Sequence, residues 1–275
     1  MNVLQLEKQA QILSALVEGN SVRSTSRMAG AHVGTILSLL GRVGNGCESL
    51  MDRTMRGLQC QRLELDEIWS YVGMKQRRAG QFPERHSEIG DFYTFVALDA
   101  ETKLVPCYRV GKRTWSECDA FIHDLSSRLT SRVQISTDAF QGYYGAIARA
   151  FDRAVDYAQI QKVFASDVNW GRYSPPKLVN AIKERIIGLP DPELISTSYI
   201  ERQNLTMRMC MRRLTRLTNG FSKKLENLKA AVALHFAHYN LVRVHQTSRC
   251  TPAMAAGVTD RLWSMEELLT TAMSA

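Results

Sequence analysis

Arg62-Leu63-Glu64-Leu65-Asp66-Glu67-Ile68-Trp69-Ser70-Tyr71-Val72 decides how the rest of this 275-residue chain is read. It is rich in β-formers and shows no helical period, which predicts a strand. Asp66 then stands inside an otherwise apolar strand, where an unpartnered carboxylate is costly. Either the strand lies at an edge and Asp66 is wet, or something binds it. Glu67 points to the other face of a regular strand, which predicts a structural role, and Trp69 reads as core.

Downstream, Phe92–Asp99 and Lys103–Val110 are two more strand-like runs, joined by the turn Ala100-Glu101-Thr102. Thr114–Leu129 reads as a helix, Arg132–Thr137 as a strand closed by Asp138, Phe140–Phe151 as a helix and Tyr157–Phe164 as a strand. That order predicts an α/β fold, a mixed sheet with flanking helices. Asp138 is a second acid at a strand end, and capping of the following helix is its alternative role. Asp167–Ile195, with Pro175-Pro176 and Leu189-Pro190-Asp191-Pro192, reads as an insertion carrying a short helix near Leu178–Ile186.

The third acid stands in Ser198–Arg216. Advanced as a helix, this stretch puts Glu201, Asn204, Arg208, Arg212 and Arg216 on one side and Ile200, Met207, Met211 and Leu214 opposite, with Leu205 and Met209 as exceptions on the polar side. One acid cannot neutralise the five arginines from Arg202 to Arg216, so intrahelical ion pairing does not account for the row. The net charge of +8 has the same location. Residues 196–250 hold seven arginines and three lysines against Glu201 and Glu226, leaving the remainder close to neutral. A concentrated basic region points to a polyanion, with nucleic acid the commonest.

Other classes are disfavoured. No apolar run reaches the length of a membrane span, and no basic–apolar–small leader opens the sequence, which predicts a cytoplasmic, nucleoid-associated protein without membrane contact. The six cysteines, at 47, 60, 107, 118, 210 and 250, form no CxxC pair and read as reduced thiols. His235, His238 and His245 follow one helix without a further ligand at metal spacing, so the first two read as satisfied helix histidines.

The first fifty residues predict three short helices. Leu6, Ala10, Leu13 and Val17 mark the first, Ser21 caps the second, and the third begins near Ala31 with Val33, Ile36, Leu37 and Leu40 inward. His32, Thr35 and Arg42 face outward on the third. Two helices around a Gly-containing turn look like a helix-turn-helix; a small helical cap on the main domain is the alternative. Gly41, Gly44 and Gly46 suggest a linker. The expected domains are 1–46 for DNA binding, 47–61 as linker, 62–250 as the main domain and 251–275 as a tail.

Three carboxylates converging at about 4 Å would repel by roughly 4 kcal/mol per pair at an effective dielectric of 20, so such a cluster needs cations. Hard oxygen ligands suit Mg²⁺ or Mn²⁺, two of which can act on the attacking and leaving oxygens at phosphorus. Leu65-Asp66-Glu67-Ile68-Trp69-Ser70-Tyr71-Val72, Ser136-Thr137-Asp138 and Tyr199-Ile200-Glu201-Arg202-Gln203-Asn204-Leu205 with Phe221-Ser222-Lys223-Lys224 resemble transposases of the "insertion sequence one" family. Tyr239-Asn240-Leu241-Val242-Arg243-Val244-His245 and Thr251-Pro252-Ala253 resemble the tail of transposases of the retroviral-integrase superfamily. The resemblance implies an RNase H-like core and an Asp-Asp-Glu triad, which falls on Asp66, Asp138 and Glu201. The family's basic residue past the glutamate falls on Arg208.

The chain departs from the pattern in three ways. Asp138 and Glu201 lie 63 residues apart, Val244 stands where many relatives have proline, and the cysteine zinc module of some members is missing. The resulting expectation is a DNA transposase acting on double-stranded DNA as a homo-oligomer, with Arg202, Asn204, Arg208, Arg212, Arg213, Arg216, Lys223, Lys224, His32, Thr35 and Arg42 against DNA. An RNase H-like nuclease or junction resolvase, and a non-catalytic DNA-binding regulator, are the alternatives.

Overall fold

Apolar periodicity builds the N-terminal helices α1 (Leu6–Val17), α2 (Val22–Ala29) and α3 (Val33–Thr54). Ser21 caps α2 by accepting from Ser24 N at 3.0 Å, and Gly30 closes it in the left-handed region at φ 59°. The computed structural model describes residues 4–164 and 178–275. After α3 come β1 (Arg62–Val72), the short α4 (Gln76–Ala79), β2 (Gly90–Asp99) and β3 (Cys107–Gly111). Next are α5 (Trp115–Arg128), β4 (Gln134–Asp138), α6 (Gln141–Ala150), β5 (Asp156–Phe164) and β6 (Leu178–Ile187). The chain ends with α7 (Ser198–Cys210), α8 (Leu225–Leu241), α9 (Pro252–Ala255) and α10 (Met265–Met273).

The strands form one six-stranded mixed sheet in the order β3-β2-β1-β4-β5-β6. β1–β2, β2–β3 and β5–β6 are antiparallel, whereas β1–β4 and β4–β5 are parallel. β1 is therefore central, and the edge-strand account of Asp66 does not apply. Helices α5 and α6 pack on each other, while α7 packs along β1 on the side that carries Glu64 and Asp66.

Several expectations are corrected here. Gly41, Gly44 and Gly46 do not form a linker; all three lie inside α3, which runs on to Thr54. A Cβ on Gly44 would sit 2.5 Å from the Ala230 backbone of α8, and one on Gly46 would collide with the Ala272 carbonyl of α10. These glycines let three helices approach closely, and one hydrophobic core runs from Ile12 and Leu40 through Leu63 and Phe95 to Leu268. Arg128 adds a polar tie: buried at the end of α5, it donates to the Met55 carbonyl closing α3 at 3.3 Å and pairs with Asp124 and Asp52.

The helix expected at Leu178–Ile186 is strand β6, paired along β5 from Tyr157↔Ile187 to Phe164↔Leu178. Its Ala, Lys, Glu and Arg favour a helix only weakly, and the open edge of β5 offers backbone partners that override that preference. The first part of the expected insertion, 167–177, lies outside the described residues. Trp69 is half-buried rather than core, in a row with Tyr71 and Phe221. The tail resemblance has local structural uses: Asn240 brackets the Val105 backbone at 3.0 and 2.8 Å, and Thr251 caps α9 with Pro252 in its first turn.

Candidate active site

Parallel neighbours end on the same side of a sheet, and this brings two acids together. β1–β4 pairing stops at Leu65↔Thr137, so Asp66 and Asp138 occupy the next positions on adjacent strands. Asp66 Oδ1 accepts from Glu67 N at 2.8 Å, and Oδ2 accepts from the Asn204 side-chain amide at 2.7 Å. Asp138 Oδ1 accepts from Phe140 N at 3.0 Å ahead of α6 but does not cap that helix as expected, since the cap position is Phe140 and carries no side-chain capping bond. Glu67 joins them: carboxylate oxygens of Asp66, Glu67 and Asp138 all lie within 4.8 Å of one another.

Glu201 enters from α7. A cavity of about 570 Å³ is lined by Asp66, Asp138 and Glu201 together with Thr197, Arg113 and Lys162. Glu201 is exposed, accepts from the Thr197 hydroxyl at 2.6 Å and pairs with Lys162 of β5. Arg113, just before α5, lies 3.5 Å from Glu67 and 3.8 Å from Asp138, with its guanidinium over the Phe140 ring.

The electrostatics report a shortage of positive charge. Burial, then the neighbouring Asp138, pushes Asp66 up to about 6, with Glu201 adding to the rise and the Glu67 amide and Asn204 opposing it. Burial and Asp138 push Glu67 further, to about 8, although Arg113 pulls the other way. Carboxylates this close and this raised fit a divalent cation, and an all-oxygen donor set is the hard type that suits Mg²⁺ or Mn²⁺.

The remaining expected residues are placed as follows. Arg202 is exposed near the start of α7, and Arg208 is half-buried, held low by burial and by Arg216 while Asp66 opposes. Asn204, expected on the exposed side, is buried against Asp66. The helix expected to reach Arg216 stops at Cys210, so Arg212 and Arg213 sit in a 3-10 turn and Arg216 follows it. Two contacts account for the stop: the Thr215 hydroxyl donates to the Arg208 carbonyl at 3.1 Å, and a Cβ on Gly19 would lie 2.5 Å from the Met209 carbonyl. The helix end thus abuts the turn between α1 and α2.

Arg213 is half-buried and held down at about 10 by desolvation, while Arg212, Arg216, Lys223 and Lys224 are exposed. His32, Thr35 and Arg42 are exposed on or next to α3 and do not line the cavity; His32 Nδ1 accepts from Gly34 N at 3.1 Å as the cap. His235, expected to be satisfied, is buried with neither ring nitrogen hydrogen-bonded among the described residues.

Sequence reasoning missed Glu67, Arg113 and Lys162 at the site. Strand alternation assigned Glu67 to the opposite face, but β4 ends beside it and its long side chain reaches Asp138. Gly111-Lys112-Arg113-Thr114, a basic run leading into a helix, was a readable signal for Arg113. Nothing in the sequence marks Lys162.

No protein-family model matches the chain, and no curated protein does. Among solved structures, the cryo-EM structure of a piggyBac transposase synaptic complex with hairpin DNA is similar at a TM-score of 0.37 and 10% identity, covering 100% of this chain and 71% of that one. That likeness is too slight to bear on the site. No helix among the described residues is long and apolar enough to cross a membrane.

Proposed function

We propose that this chain is a DNA transposase of the RNase H-like, Asp-Asp-Glu type, using Asp66, Asp138 and Glu201 to hold Mg²⁺ or Mn²⁺, two ions at a time. The observation that carries the reading is the meeting of these acids, from β1, β4 and α7, in one cavity. The strand order and the resemblance of the segments around each acid support it. A divalent pair supplies charge neutralisation for the attacking and leaving oxygens at phosphorus when bound.

The protein's own side chains have separate work. Asp66 and Asp138 present carboxylate oxygens to the cations, and Thr197 orients Glu201. Arg113 and Lys162 at the cavity, with Arg208 farther along α7, hold the phosphodiester. Lys223, Lys224, Arg202, Arg212, Arg213 and Arg216 extend the positive surface along the DNA backbone. Helices α2 and α3 act as a helix-turn-helix that reads the element ends through His32, Thr35 and Arg42, and a homo-oligomer brings two ends together.

The test is incubation of the full chain with 3′-hydroxyl element-end DNA, target duplex and Mn²⁺, scored for nicking and for strand-transfer product. D66A, D138A and E201A are each expected to abolish both while keeping duplex binding within a few-fold. Nicking without strand transfer would reduce the reading to a nuclease or resolvase, and wild-type rates in these variants would overturn it.

A further inference from the structure

Helix α7 begins without a cap of its own. Its first residue outside the helix is Thr197, a good capping type, yet this hydroxyl makes no capping bond and is given to Glu201 instead. The orphan amides are met elsewhere. Ser198 N donates to the Ser196 hydroxyl at 3.1 Å, and Tyr199 N and Ile200 N both donate to Glu64 Oε2, at 2.8 and 3.0 Å. Glu64 is fully buried in the central strand, between Leu98 of β2 and Ser136 of β4. A carboxylate is an expensive group to bury there, and the positive end of a helix is among the few things that offset it.

Spacing makes this one half of a two-point mount. Glu64 and Asp66 are two residues apart on one face of β1, roughly 6.7 Å at the strand rise. Their partners, Ile200 and Asn204, are four residues apart on α7, roughly 6 Å at the helix rise. The two intervals nearly match, so α7 lies beside β1 in fixed register, with Glu201 between the two attachment points.

We propose that Glu64 is a positioning residue for Glu201: by capping α7 from β1, it frees the Thr197 hydroxyl to hold the Glu201 carboxylate at the cavity. This rests on the cation-site reading of Asp66, Asp138 and Glu201. Glu64 touches neither cation nor DNA; it acts through the helix. Outer groups that orient ligands in this way typically govern about 10–100-fold in metal affinity.

The experiment uses the full chain as wild type, E64A, E64Q, T197V and E201A, with two measurements besides cleavage. Mn²⁺ affinity is read by calorimetric titration, and amide hydrogen exchange is followed over 198–204 without metal. E64A is expected to speed exchange at Tyr199 and Ile200 and weaken Mn²⁺ at least tenfold. E64Q keeps an acceptor oxygen and should stay within about threefold on both. T197V should weaken Mn²⁺ comparably while leaving Tyr199 and Ile200 protected. Should E64A fail to fold, the E64Q and T197V pair still decides. Wild-type Mn²⁺ affinity in T197V, or in folded E64A, overturns the proposal, as does an E64Q affinity weakened tenfold. If E201A binds Mn²⁺ as tightly as wild type, the cation-site reading has failed instead, and the positioning role falls with it.

Discussion

Asn204 and Asp66, 138 residues apart in sequence, are joined by a 2.7 Å hydrogen bond from the asparagine amide to the carboxylate. Asn204 is buried, so this bond is shielded from water and holds α7 to β1 directly beneath the acidic cavity. Removing the donor in N204A leaves Asp66 short of a partner, and hydrogen bonds to charged groups contribute about 1.5–3 kcal/mol. N204D goes further by adding a carboxylate whose folded-state pKa must lie above its unfolded one. Its contribution to stability survives below the unfolded pKa and is lost as pH rises. In EDTA, N204D should therefore melt further below wild type at pH 8 than at pH 5.5; an equal gap at both would show that the acids do not interact.

Arg208 is the one arginine of the row that burial and Arg216 both disfavour while Asp66 favours it. A charge held at a cost in the free protein belongs where it meets an anion. R208Q should leave the melting temperature unchanged or slightly higher and lower the slope of log K against log[salt] by about 0.9 on duplex DNA. Cleavage should fall more than binding, since displacing the scissile phosphate by about 1 Å can cost roughly 10²-fold. R212Q, exposed beyond the helix end, should change the salt slope but not the cleavage step. An unaltered slope and rate in R208Q would make it a packing residue.

Gly41 and Gly44 are three residues apart in α3 and should respond oppositely to the same change. A Cβ at Gly41 meets nothing within 4 Å, whereas at Gly44 it lies 2.5 Å from Ala230 of α8. G41A should stabilise by about 0.5–1 kcal/mol through helix propensity. G44A should destabilise by about 1–3 kcal/mol through overpacking. Thermal melts of the two variants decide, and stabilisation by both would mean that α3 and α8 are not in close contact.

His235 sets an acid limit on stability away from the cavity. Burial, with His238 and Arg243 adding repulsion, lowers it from 6.5 to about 3. A histidine lowered in this way contributes fully above its unfolded pKa, and that contribution is lost as pH falls below about 6.5 because the unfolded chain takes up the proton first. By pH 5 the loss is about 2 kcal/mol, from 1.36 kcal/mol per pH unit. Denaturant melts between pH 7.5 and 5 should show this slope in wild type and a shallower one in H235F. Parallel slopes would place the sensitivity elsewhere.

What the sequence alone determined is what short-range chemistry encodes. Alternating and β-branched runs delimited β1, β2, β4 and β5, helical periods delimited α5 and α6, and an acid in an apolar strand was costly enough at Asp66 to mark that position without coordinates. Only the tertiary structure decided matters that depend on a distant partner. Residues 178–187 pair as a strand because β5 leaves an edge open, against their own helical leaning. Gly44 and Gly46 sit within a helix because α8 and α10 come too near for a side chain, so glycines that read as flexible are contact points. Helix α7 stops at Cys210 because its end meets the Gly19 turn, which takes Arg212 and Arg216 off the helix. Arg113 and Lys162 line the cavity, and Glu67 lies against its acids, because β4 ends beside Asp66 while β1 runs on, with β5 and the start of α5 bordering the same opening. Local propensity amounts to a few tenths of a kcal/mol per residue, and a packed neighbour or an open strand edge contributes more.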